Sequence, residues 1–229
     1  MSSLIDYQRA LAQAVRGQHP AGQHAAPDGL SMRGLALTRR IRESWCVGRS
    51  RRAARLTLSA LPQPDRDRIL QSWVAQGGGN SSFFEAEAEA LLDFIGAQVD
   101  GFPHASSLCR FERAIIRARA AGRDSWKTIT PDGGALLRRS PDADLVTMHA
   151  PVEALLEAVD GARPWPDIGG ATHHLLVAPG VAGWVREACA GEVALWRKAE
   201  TGVTSNKDWA TAQSLLACGA LRLATSEQI

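Results

Sequence analysis

Apolar residues recur at helical spacing through the first half of the chain and shift to short runs between turn signals in the second. Leu4, Leu11 and Val15, with Tyr7 or Gln8 between, predict a helix over residues 2–16 that "GQHPAGQHAAPDG" breaks with proline and glycine. "GLALTRRIRESWCVG" predicts a second helix, with Leu35, Ile41, Trp45 and either Leu37 or Thr38 on one side and Gly48 at its end. "RRAARLTLSALPQP" is a short apolar stretch closed by proline. "PDRDRILQSWVAQGGG" predicts a third helix, with Pro64 in its first turn and glycines where it stops.

"SSFFEAEAEALLDFI", residues 81–95, alternates Glu85, Glu87 and Glu89 in a way that could be read as a strand or a carboxylate cluster. Ser82 followed three residues later by Glu85 is a capping-box pattern, which favours a helix beginning there. At 100° per residue Phe84, Ala88, Leu91, Leu92 and Ile95 share the apolar face, and Glu85, Glu89 and Asp93 form a stripe expected to face water. Glu87 falls beside the apolar edge and needs a cationic partner. The next helix, "ASSLCRFERAIIRARAA", has Leu108, Phe111, Ile115 and Ala118 as its buried stripe, Glu112 intruding, and Arg110, Arg113 and Arg117 as expected partners.

Near Gly122 the pattern changes. The turn signals "TPDGG" and "SPDAD" flank strand candidates at 135–139 and 145–149, followed by a helix over 151–159 and a third strand candidate in "THHLLVAPG". "VAGWVREACAGEVALWRKAE" and "NKDWATAQSLLACGA" are expected to be helical, and "LRLA" is a short apolar close. The expected fold class is mainly α with a smaller α+β part: a helical domain over 1–125 and a winged-helix-like domain over 126–229.

Composition narrows the function. With 229 residues, 45% of them hydrophobic, the chain can build real cores. No secretory signal or long uncharged apolar run is evident, so cytoplasmic residence is the expectation. A net charge of +2 argues against a protein that coats nucleic acid, yet 23 of the 26 cations are arginine. Eight of these lie between Arg33 and Arg55, with Glu43 as the only acid. Such a segment suits phosphate, an acidic peptide or an acidic protein surface, or is simply a solvated helix end.

Catalytic chemistry is hard to find. Cys46, Cys109, Cys189 and Cys218 are too far apart for a CxxC pair and read as reduced thiols. Adjacent His173 and His174 on a strand point to opposite faces and cannot share one metal ion. The glycine clusters match no phosphate loop, and neither GxSxG nor HExxH occurs. His104 and Cys109 lack an orienting third group. The chain reads as a binder without catalytic or metal-ligating residues of its own. A winged-helix-like module can read DNA or capture an extended peptide on a strand edge, and the helix near 206–217, with one lysine and no arginine, favours the peptide.

The segments "RGLALTRRIRESWCVGRSRRAARLTLSALP", "SFFEAEAEALLDFI" and "HASSLCRFERAIIRARA" resemble the amino-terminal part of the partner subunits of multinuclear non-haem iron-dependent oxidative enzymes that modify ribosomal peptides. "HAPVEALLEAVDG", "LLVAPG" and "LLACGAL" are similar to the remainder of those proteins. The match is nearest to the partner in thiaglutamate-forming systems and more distant to the methanobactin partner subunit. The amino-terminal half is also similar to a family named for DNA binding. The resemblance implies a non-catalytic subunit in a heterodimer. Its companion, a TIM-barrel enzyme, would carry the iron and use oxygen to modify a cysteine of the precursor peptide, excising the β-carbon of a carboxy-terminal cysteine in the thiaglutamate case. This chain would hold no cofactor and would present the peptide on a strand edge. A winged-helix transcriptional regulator is the alternative.

No motif fixes the contacts. Geometry nominates the strand with Leu145, Val146, Thr147 and Met148, or the one with His173, His174, Leu175, Leu176 and Val177, with Trp209 and Gln213 on the helix side. For the companion-facing surface, the candidates are Arg39, Arg40, Arg42, Arg49, Arg51 and Arg52, together with the acidic stripe.

Overall fold

The computed structural model describes residues 4–16, 31–79, 81, 84–123, 136–204 and 209–224. The expected Ser82 cap, the "TPDGG" turn and the start of the "NKDWATAQ" helix lie outside them. Helices α1 (Leu4–Arg16), α2 (Met32–Ala53), α3 (Arg55–Ser59), α4 (Gln63–Ala75), α5 (Phe84–Gly96) and α6 (Pro103–Arg123) come first. Then follow β1 (Leu136–Arg139), β2 (Asp144–Met148), α7 (Val152–Val159), β3 (His173–Val177), β4 (Val185–Glu187), α8 (Ala190–Lys198), β5 (Val203–Thr204), α9 (Trp209–Ala217) and β6 (Leu221–Leu223). The fold is mostly helical with a small sheet part, an α+β class. The strands form two antiparallel three-stranded sheets, ordered β5-β1-β6 and β2-β3-β4.

Three elements differ from the sequence reading, the first being α3, which forms a five-residue helix in what read only as a short apolar stretch. Helix α2 passes through Gly48 and continues to Ala53, because a single glycine costs a helix only about 1 kcal/mol and the flanking turns are already held. Its inner face is Leu35, Cys46 and Ser50, whereas Ile41 and Trp45 point outward with 61% and 54% exposure. "VAGWVREA" is not α-helical and holds only a 3-10 turn over Ala182–Trp184. Gly183 and Trp184 both have positive φ, which breaks the helix and delivers Val185–Glu187 to the sheet as β4.

The apolar side chains gather into three cores. The first lies among the helices and includes Leu58, Ile69, Leu70, Leu91, Leu92, Ile95 and Cys109. In the second, Leu108, Ala114 and Ala118 of α6 and Leu155 of α7 pack on Val146, Met148, Leu175 and Val177, one face of the β2-β3-β4 sheet. The third places Leu145 and Leu176, on the opposite face, against Val193 and Trp196 of α8, Leu215 and Leu216 of α9, and Leu137 and Leu221 of the other sheet. Helix α6 therefore belongs to both the helical core and the sheet core.

Buried charges explain how these layers lock. Glu87 is paired with Arg49 of α2 at 2.7 Å and accepts from the Ser81 amide at 3.0 Å, so its partner is α2 and not the expected α6. The α6 arginines instead hold the acidic stripe: Arg113 binds Asp93 at 2.6 Å, and Arg117 binds Glu89. That stripe is thus engaged within the chain and is not simply solvated. Glu112 accepts from the amides of Leu56 and Thr57, both at 2.9 Å, and from the Thr57 hydroxyl at 2.6 Å. It caps α3, a five-residue helix with no side-chain cap of its own. Burial pushes the Glu112 carboxyl up, and these donors oppose the shift.

Two stability predictions follow from close contacts. Gly79 has φ +82, and a Cβ there would sit 2.5 Å from Cys46 Cβ and 3.0 Å from its Cα. Gly79→Ala should cost about 1–3 kcal/mol in urea unfolding. The second concerns Glu192, which takes a bidentate grip from Arg186, at 2.7 and 2.5 Å, and also accepts from the Cys189 amide and the Ser214 hydroxyl. The Arg186 bond holds its carboxyl at about 2, against an ordinary 4.5. A depressed carboxylate stabilises the fold above its unfolded pKa and loses that contribution as pH falls through the folded one. Glu192→Gln should therefore cost about 2–3 kcal/mol at pH 7, and the gap to the wild-type protein should narrow from pH 4.5 toward pH 2.

Candidate functional site

A strand edge is a binding surface when its outward N–H and C=O groups lack a neighbouring strand. In the β2-β3-β4 sheet β3 is central. Leu175, Leu176 and Val177 are thus flanked on both sides by strands, while His173 and His174 pair with β2 alone and the His174 carbonyl is taken by Ala188; the expectation that β3 offers an edge is corrected. Strand β2, with Leu145, Val146, Thr147 and Met148, is paired on one side only among the described residues.

Hydrogen bonding shows which groups face out. The His174 carbonyl accepts from the Ala188 amide beyond β4, at 2.8 Å. In an antiparallel ladder both main-chain groups of a residue point the same way, and successive residues alternate. His174 and Leu176 therefore face β4, while His173, Leu175 and Val177 face β2. Their partners Met148, Val146 and Asp144 face inward. Leu145 and Thr147 are left facing the outer edge. The Leu145 amide is bonded to the Asp144 carboxylate at 2.8 Å, and that carboxylate also binds Arg110 of α6 at 3.0 Å. Asp144 thus occupies the edge at its start, and Thr147 offers the outward amide further along.

The other sheet edges are less suited. Strands β5 and β6 span two and three residues. On β4, also three residues long, the Arg186 guanidinium bonds the Glu187 carbonyl at 2.9 Å. Strand β2 has five residues and both faces supported by packed cores.

Beside the outward amide, Thr147 Oγ1 lies 3.1 Å from His174 Nδ1. Burial lowers the His174 pKa, and the charges of Arg197 and His173 add to the shift. His173 turns to the opposite face, with Nδ1 3.5 Å from the Glu187 carboxylate. Trp209 packs half-buried against the third core at the start of α9, and Gln213 is exposed on the same helix.

The arginine candidates separate into two groups. Arg39 donates to the Ala14 carbonyl at 2.7 Å, Arg42 is half-buried, and Arg49 is committed to Glu87 and to the Ser81 carbonyl at 3.0 Å. These three face inward and are corrected as a free surface. Arg40, Arg51 and Arg52 are exposed, with Arg51 bonded to Asp67 at 3.2 Å.

One site was not anticipated. A cavity of about 330 Å³ opens between α2, α3, α5 and α6, with an apolar lining that includes Leu56, Phe84, Phe111 and Ile115 and with Arg52, Arg119, Glu85 and Glu112 among its walls. Phe84, expected inside, is 46% exposed at this cavity. Its position at the start of a helix, before the apolar stripe is fully covered, was the available signal.

His104 and Cys109 do not form a dyad. His104 Nε2 faces the Pro166 carbonyl at 2.8 Å and its ring stacks on Trp165, while the Cys109 thiol donates to the Leu92 carbonyl. Burial raises that thiol to about 11. Among the described residues no three His, Cys, Asp or Glu side chains are grouped to hold a metal ion, and no helix is long and apolar enough to cross a membrane. No family model matches the chain, and no curated protein matches it.

The His174 environment gives a testable titration. Its imidazole should titrate below 6.5 in an NMR pH series. Because the folded value is depressed, its stabilising contribution is present above the unfolded value and is lost as pH falls through the folded one. His174→Gln should remove that part of the pH dependence; an unshifted His174 resonance would refute the environment described.

Proposed function

We propose that this chain is a non-catalytic subunit that binds a ribosomally made precursor peptide along β2 and presents its cysteine to an iron-dependent oxidative companion enzyme. The observation that carries the reading is the one-sided pairing of β2, with Leu145 and Thr147 facing its outer edge. An added strand gains main-chain hydrogen bonds there, and its side chains alternate between a helix-covered face and the Thr147–His174 face. The resemblance to partner subunits of multinuclear iron enzymes supports the same assignment, with a winged-helix-like recognition domain over 126–229 and the protein in the cytoplasm. Within the proposed heterodimer the iron and the oxygen chemistry belong to the companion. This chain supplies recognition and position. In a thiaglutamate-type system the presented residue is a carboxy-terminal cysteine that loses its β-carbon.

DNA reading is the weaker account. Helix α9 carries neither lysine nor arginine over Trp209–Ala217, and a major-groove reader ordinarily bonds phosphates and base edges from its recognition helix.

The test is fluorescence anisotropy with a labelled precursor peptide from the adjacent reading frame. Thr147→Pro removes the outward amide at a position where an edge strand tolerates proline, and should weaken binding at least about tenfold. Thr147→Val retains that amide and should bind within about threefold of wild type. Equal binding by the proline variant, with an unchanged circular dichroism spectrum, would overturn the β2 assignment.

A further inference from the structure

The outward side of α2 carries the wrong residues for a helix that faces only water. Leu37, Ile41 and Trp45 follow one another at four-residue spacing and are 59%, 61% and 54% exposed. At 100° per residue they form one ridge, with Gly34 just before it, Gly48 just after it and Arg52 on the same line toward the helix end. Arg33, Arg40 and Arg51 flank the ridge on one side. The helix is inverted: large apolar groups lie outside, and Arg39, Arg42 and Arg49 lie on the inner side.

The ridge continues into the cavity. Arg49 sits over the Trp45 ring at 4.8 Å and over the Phe84 ring at 5.7 Å, tying the end of the ridge to the mouth. Phe84 and Arg52 then line the cavity itself, together with Arg119 and the carboxylates of Glu85 and Glu112, the latter already spent on the Leu56 and Thr57 donors. An apolar strip, a pocket large enough for an aromatic or branched side chain, and unmatched arginines are therefore contiguous. Arg33, Arg40, Arg52 and Arg119 make no ion pair with an acid among the described residues.

We infer that the outer face of α2 and the adjoining cavity dock the companion enzyme, through an apolar projection of that enzyme bordered by carboxylates. This rests on the proposed function and specifies where its two chains meet. Charge selects the occupant: four guanidinium groups without acidic partners repel a second copy of the same face and attract an acidic border. The interrupting apolar ridge fits a protein surface better than a phosphate backbone, which would leave Leu37, Ile41 and Trp45 uncovered beside it. The carboxylates that meet the arginines set partner choice and approach, and the ridge and cavity supply the water-excluded centre.

The experiment uses the full chain co-expressed with the oxidative enzyme from the adjacent reading frame. Leu37→Asp with Ile41→Asp changes only exposed positions, and Arg40→Glu with Arg52→Glu reverses the border. Complex affinity is measured by interferometry, mass by light scattering, and precursor-peptide binding on each isolated variant. The expected result is a one-to-one wild-type complex weakened at least about thirtyfold by the ridge pair and at least about tenfold by the charge pair, with peptide binding unchanged. Retained complex formation by both variants would overturn the docking face while leaving the peptide reading intact. Absence of any wild-type complex would overturn both the docking face and the companion assignment. A wild-type chain that dimerises alone, and whose ridge variant is monomeric, would assign the face to a second copy. Binding of a DNA duplex that is lost only in the charge pair would assign it to nucleic acid.

Discussion

A single helix must satisfy two cores at once, and the rest of the molecule is arranged around that demand. Cys109 and Ala105 of α6 enter the helical core, whereas Leu108, Ala114 and Ala118 enter the sheet core. More than half of its circumference is therefore covered, which leaves a narrow polar sector. That sector is used for Arg110, Arg113 and Arg117, each held by a carboxylate of β2 or α5. Glu112 lies within the covered arc and is acceptable there because α3 supplies three donors. Removing any one of these groups disturbs more than its own contact, since the same helix positions the strand edge and one wall of the cavity.

The inverted α2 is the second consequence of charge placement. Arginine stems cover apolar surface while their heads reach carbonyls or carboxylates, so guanidinium-bearing residues can serve as the inner side of a helix. Arg49 is the clearest case, with Glu87, the Ser81 carbonyl and two aromatic rings around it. A buried ion pair of this kind is costly to break and adds little over an apolar pair. Its structural effect is to hold Trp45 and Phe84 together at the surface, where the outer ridge meets the cavity.

Much of this was legible from residue periodicity. The helices before residue 123 other than α3, the β2 and β3 segments and the α+β class could be read because spacing reports which residues share a face. What spacing does not report is which face meets the protein interior. Ile41 and Trp45 have the pattern of a packed stripe, and only the position of α5, α4 and α1 around Leu35 and Cys46 shows that the stripe is outside. Glu87 likewise demanded a cation from its own helix angle, but the choice of Arg49 over Arg113 depends on tertiary placement. Strand order is invisible to local pattern too, so β3 read as well as β2 for an edge. The β4 segment was missed because the positive φ at Trp184 has no sequence signal; glycine at 183 was the sole hint.

In the β5-β1-β6 sheet β1 pairs with two strands that follow it by more than sixty residues, with Leu137 opposite both Val203 and Leu223. Chain synthesis proceeds from the amino terminus, so the helices through α6 emerge before any strand of that sheet has its partners. Local helix contacts form faster than such distant pairings because little loop entropy opposes them. The helical layer can thus act as a template already in place when β2 and β3 arrive, while the β1 sheet waits for the segment after α9. Completion of the β5-β1-β6 sheet is consequently a late step in the life of each newly made chain.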